Sequence, residues 1–175
     1  MELTKLERLN LINQFEILKN QKESDSSMYE SFIEILRNGY KKEYYRLIEF
    51  VYDDVPDKIL NQTMDILEMY YHIQCSFRNL NDNSGIDSEK IKFRGFDGNR
   101  EHEYLGYMKF LNSEGRFHVE LKGSDQNFPL NSHFPMVDTY RRQYLRFKTI
   151  KNRKEESNDV EPWHFSKEEI IEILN

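Results

Sequence analysis

Asp65, Glu68 and His72 stand at i, i+3 and i+7 within the run "DILEMYYHI". On a helix that spacing stacks the three side chains along one face. Two carboxylates and an imidazole are the residue types that hold a divalent cation or exchange protons with a substrate. A complete site would draw further ligands from another helix, and no second cluster with ligand spacing is present. Di-metal helical bundles carry Glu-x-x-His, whereas this chain has Glu68-x-x-x-His72. The plainer reading is a solvated strip with one i, i+4 Glu–His pair contributing a few tenths of a kcal/mol. Cys75, three residues beyond His72, is the single cysteine of the chain. It has one local activating base and reads as a small buried hydrophobe.

A second grouping lies in "KFRGFDG", where Lys92 and Arg94 precede Gly95-x-x-Gly98. Bare backbone amides at a helix start, with cations beside them, bind anions. The stretch lacks the Lys followed by Ser or Thr that completes a P-loop. Two glycines also suit an ordinary turn, with Asp97 as N-cap of the helix that follows.

The third grouping is "YRRQYLRFKTIKNRK", residues 140–154, with seven positive charges and no acid in a chain of net charge −6. Arg141, Arg142, Arg146 and Lys151 would be its nucleic-acid contacts. Tyr140, Tyr144 and Phe147 fall on one stripe, which is how a helix faces a core rather than a base stack. The acidic balance of the whole chain argues against a dedicated nucleic-acid binder.

These residues are positioned by helices. Glycine and proline are scarce, at seven and four, which disfavours a turn-rich β fold. Thr4 and Glu7 have capping-box spacing and open a helix running to about Leu18. Its apolar residues, Leu6, Leu9, Leu11, Ile12, Phe15, Ile17 and Leu18, point nearly all round the cylinder. Such a helix is either wrapped on several sides by its own chain or shared with another subunit, and we expect a second molecule to cover part of it. Ser27 and Glu30 repeat the box, and Gly39 ends the second helix in a left-handed conformation. A third helix is expected over 41–52, with Tyr44, Leu47, Ile48 and Val51 as its stripe.

Pro56 starts the longest element, reaching about Leu80, with apolar residues on two sides; this is the central helix. Period-two alternation at 91–94 and at 116–122 allows one short two-stranded ribbon. Between them a helix runs to Asn112, with Tyr104, Leu105, Tyr107, Met108 and Leu111 inward, and Gly106 within it is expected to admit a close neighbour. Pro135 begins another helix, with Met136, Tyr140, Tyr144 and Phe147 on one face. Ser166 and Glu169 box the last, which buries Ile170, Ile173 and Leu174, and Trp163 pins it. The expected fold is all-α: six to seven helices around the long one, in a single domain with lobes at 1–82 and 83–175.

Taken together, "NLINQFEIL", "ILRNGY", "DILEMYYHI", "FRGFDG" with "YLGYMKF", "EGRF" and "FSKEEIIEILN" resemble the YfbU family of bacterial proteins over essentially the whole chain. The resemblance implies a multihelical fold and an oligomer. In some relatives a similar domain follows a small DNA-binding module, which implies ligand sensing; here the similarity begins within the first few residues, so no such module is expected. The family supplies no catalytic residue.

No disulfide can form within a chain of one cysteine, and neither a signal peptide nor an apolar run of roughly 18 residues is present. We therefore expect a cytoplasmic protein away from membranes and without a cofactor, a homo-oligomer that binds a small ligand or a protein partner in a regulatory role rather than as an enzyme.

Overall fold

The computed structural model describes residues 1–116, 130–157 and 160–175. Among them the regular structure is helical: α1 (Lys5–Gln21), α2 (Ser26–Asn38), α3 (Asp57–Asn79), α4 (Ser88–Ile91), α5 (His102–Ser113), α6 (Val137–Glu156) and α7 (Lys167–Leu174). The chain divides into two compact units, Met1–Asp54 and Val55–Asn175. The boundary thus precedes the long helix α3 instead of following it near residue 82. α3 packs on α4, α5, α6 and α7, so burial of its two apolar sides assigns it to the C-terminal unit.

In the N-terminal unit, α1 opens with the expected capping box. The Glu7 amide donates to Thr4 Oγ1 at 3.2 Å, and the Thr4 amide donates to Glu7 Oε2 at 2.7 Å. The unit's core is Tyr29, Phe32, Ile35 and Leu36 of α2 with Tyr44, and α1 packs Leu11, Ile12, Phe15 and Leu18 against it. Phe15 lies 5.9 Å from the ring of Tyr29 and 5.4 Å from that of Phe32. Gly39 takes φ +69° after α2, and an added Cβ would sit 2.6 Å from Arg8 Nη1. That guanidinium donates to Leu36 O at 3.1 Å, meeting a carbonyl that the helix end leaves open.

Two local expectations give way here. Ser27 lies inside α2, because a 3₁₀ turn over Glu23–Asp25 runs directly into the helix and its carbonyls meet the first amides. Residues Lys41–Leu47 form a 3₁₀ helix in place of an α-helix. Three residues per turn align Tyr44 with Leu47, which pack inward, and leave Ile48 and Val51 exposed.

In the C-terminal unit, α3 buries Ile66, Leu67, Met69, Tyr70 and Ile73 within one core. Tyr140 of α6 is its hub, fully buried, with Tyr70, Phe93 and Phe96 rings 5.4–5.8 Å away. Its hydroxyl accepts from the Arg94 amide (3.2 Å) and donates to Gly95 O (3.1 Å), so one phenol holds the 93–96 backbone against α6. The first segment of the expected ribbon is instead the end of the one-turn helix α4 followed by extended backbone. Phe96 there makes an isolated parallel bridge with Asn131. Its expected partner strand lies, beyond Arg116, outside the described residues. At Gly106 no atom of the described residues comes within 4 Å of the place a Cβ would take, so none of them is the close neighbour expected there. α7 is capped by the Ser166–Glu169 box and buries Ile170, Ile173 and Leu174, as its pattern requires.

Candidate functional site

The turn before α5 departs most from its sequence reading. α5 begins at His102 with Glu101 at the N-cap, four residues later than an Asp97 cap would give. Asp97 is buried and turns the chain, accepting from the Asn99 amide at 3.0 Å. The buried Glu101 carboxylate gathers three amides. Oε1 accepts from Met136 and Val137 at 2.8 Å each, capping the N-terminus of α6, and Oε2 accepts from Asp97 at 2.9 Å. A carboxylate at that end also complements the helix dipole. Nothing in local spacing announces this, because the capped helix starts 36 residues downstream.

The amides of the Gly95–Gly98 turn are accordingly engaged within the protein. Phe96 donates to Leu130 O (3.1 Å), Asp97 to Glu101, Gly98 to Asn131 Oδ1 (3.1 Å) and Asn99 to Asp97. Gly95 has φ +83°, and a Cβ would meet Leu130 O at 2.0 Å, so the glycine serves close backbone approach. An anion cradle from these backbone amides does not form. The side chains of Lys92 and Arg94 instead line a hollow of about 230 Å³ with Tyr70, Lys90, Thr139 and Gln143. Glu89 is the acid of the lining and pairs with Lys92 at 2.6 Å. At the floor, Tyr70 Oη donates to Gln143 Oε1 at 3.1 Å. Burial pushes that phenol far above its ordinary range, and the positive charge of Arg94 opposes the shift in part.

Asp65, Glu68 and His72 occupy one helix face but three environments. Glu68 is exposed. Asp65 lines a separate hollow of about 240 Å³ with Gln62, Arg141, Tyr144 and Leu145. The Tyr144 phenol is raised to about 12 by burial and then by its hydrogen bond to the Asp65 carboxylate. His72 turns toward the core side and stacks on Trp163 at 4.4 Å. Burial first, then the charge of Lys151, lowers its pKa to about 4. Among the described residues, no three His, Cys, Asp or Glu side chains converge on a place that could hold a metal ion. Cys75 is half-buried, with Arg78 Nη2 3.3 Å from its sulfur.

The basic segment is largely occupied with its own protein. Arg141 donates to Asp138 (3.1 Å), Gln62 (3.1 Å) and Tyr104 Oη (3.3 Å). Lys151 Nζ sits 3.4 Å over the Trp163 ring and 3.6 Å from Glu155. Arg153 and Lys154 reach Glu169. Arg142 is exposed and bonds Thr139, and Arg146 is half-buried. Five of the seven charges meet neighbouring side chains, and the aromatic stripe Tyr140–Phe147 faces the core.

The class this defines is an all-helical protein built on one long helix, with side-chain-lined hollows on its C-terminal unit. The YfbU domain family matches residues 1–175, and the chain belongs to that family. It is similar to the UPF0304 protein of Methanocaldococcus jannaschii, 33% identical over 176 residues that cover 99% of each chain.

Proposed function

We propose that this chain is a non-enzymatic helical domain that associates with copies of itself through α1 and acts in regulation. One observation carries the reading: none of the 17 residues of α1 is buried, although seven residues of its sequence are apolar. Leu6, Leu9 and Ile17 are 67%, 52% and 58% exposed. At 100° per residue these three share a stripe with Asn10, Asn13 and Asn20, and no charged residue interrupts it. Exposed apolar stripes on soluble helices mark contact surfaces.

The stripe is self-complementary. In an antiparallel pair centred on Asn13, Leu9 meets Ile17 of the partner subunit, and the two Asn13 amides meet at the two-fold axis. A polar residue at such a position sets register, as single asparagines do in coiled coils. The dispersal of Asp65, Glu68 and His72 into separate environments supports the non-enzymatic part of the reading. A cytoplasmic location goes with it: a chain of one cysteine uses no internal disulfide, and no described helix is long and apolar enough to cross a membrane.

The test is the solution mass at micromolar concentration, by sedimentation or light scattering, for the wild type and for Leu9→Glu/Ile17→Glu. Both side chains are exposed, so the variant keeps its helical circular dichroism. A dimer or larger wild type that becomes monomeric in the variant is expected. A monomeric wild type ends the proposal.

A further inference from the structure

Lys90, Lys92 and Arg94 bring three positive charges to one hollow, in a protein whose overall balance is −6. The lining holds one acid, Glu89, so its side chains carry a net charge of two positives. Elsewhere in the C-terminal unit some cations face carboxylates, as Lys167 does Asp82 at 2.8 Å. Among the described residues the Arg94 guanidinium has no hydrogen-bond or ion-pair partner, and it is exposed at the rim.

The floor is also short of acceptors. Gln143 is 6% exposed, and its Oε1 is taken by Tyr70. Its Nε2 carries two hydrogens, and one reaches Leu174 O at a long 3.5 Å. A buried amide hydrogen without a good acceptor is costly, which favours a ligand oxygen at that place. Thr139 Oγ1 accepts from Arg142, leaving its own hydrogen to donate. Cations at the rim, neutral donors at the floor and the apolar side chains of Met136 and Leu174 beside them describe one kind of guest.

We propose that this hollow binds a small organic phosphate monoester. The phosphate accepts from Arg94, the two lysines, Thr139 and Gln143, and the organic group rests on Met136 and Leu174. A monoester near pH 7 carries about 1.5 to 2 negative charges, which matches the lining. Arg94 supplies the forked geometry that suits phosphate oxygens. A volume of about 230 Å³ admits a single ring and its phosphate. The site lies within the C-terminal unit and does not depend on self-association through α1.

Isothermal titration calorimetry of the full chain at low ionic strength, with inorganic phosphate and with phenyl phosphate as probes, tests it. Phenyl phosphate is expected to bind, and more tightly than inorganic phosphate. Arg94→Gln, a change at an exposed side chain, weakens it at least ~10-fold. Lys148→Gln, on the exposed side of α6 and outside the lining, leaves the affinity within about 2-fold. The proposal is overturned if phenyl phosphate does not bind, if inorganic phosphate binds as tightly, or if Lys148→Gln weakens binding as much as Arg94→Gln.

Discussion

The imidazole of His72 lies against the indole of Trp163, with ring centroids 4.4 Å apart and planes 19° from parallel. Phe147 stacks on the same imidazole at 6.2 Å. A protonated ring placed there meets Lys151 and His164 nearby and loses part of its hydration.

This gives a pH dependence with a definite sign. The folded protein takes the His72 proton near pH 4, and the unfolded chain takes it near 6.5. Between those values the unfolded state binds more protons, so stability falls as pH drops through the window. The loss is about 1–2 kcal/mol by pH 4, discounted because half of the ring is open to solvent screening. His72→Phe keeps a stack on Trp163 and cannot take a proton. Urea unfolding at a series of pH values is expected to show a flatter profile for this variant between pH 6.5 and 4. Parallel profiles would remove His72 as the cause.

Glu101 joins two helices that local sequence keeps separate. Glu101→Ala leaves the amides of Met136, Val137 and Asp97 without their acceptor. Loss of a buried charged cap of this kind costs about 2–4 kcal/mol. Glu101→Gln retains the shape but places amide hydrogens toward amide hydrogens, and it recovers only part of that loss. A midpoint shift in denaturant for both variants, larger for alanine, is the expected result.

Tyr140→Phe isolates the hydroxyl that ties α6 to the 94–95 backbone. Removing it orphans the Arg94 amide and Gly95 carbonyl while the ring stays packed. A destabilisation of about 1–3 kcal/mol is expected. Hydrogen exchange at the Arg94 amide should accelerate beyond what the change in global stability explains.

Two glycines make opposite predictions. Gly95→Ala places a methyl 2.0 Å from Leu130 O at a positive φ, and no side-chain movement relieves a clash with backbone. It is expected to destabilise by more than about 3 kcal/mol. Gly106→Ala lies on an exposed helical position where no described residue comes within 4 Å of the added methyl. It is expected to stabilise by up to about 1 kcal/mol. Paired thermal melts decide both, and a stabilised Gly95→Ala would contradict the described turn.

What could be read from the sequence alone is what residues three or four apart decide. The capping boxes at Thr4 and Ser166, the left-handed Gly39, the long central helix after Pro56 and the inward stripe Tyr140–Phe147 rest on hydrogen bonds and periodicity inside one element. The family resemblance follows from the same linear patterns and holds over the full length. Tertiary structure decided the rest. Lys92 and Arg94 were legible as a cationic pair, with Lys90 two residues before them, but Thr139 and Gln143 joined them only when α6 packed over that segment. His72 left its carboxylate neighbours for a tryptophan 91 residues away, because burying its ring against an aromatic stack outweighs a few tenths of a kcal/mol from a solvated ion pair. Glu101, 35 residues from Met136, became a cap because a buried helix start must find an acceptor wherever the chain brings one. Spacing along a chain encodes contacts within a turn of helix; contacts between helices depend on which apolar faces pack, and that is settled in three dimensions.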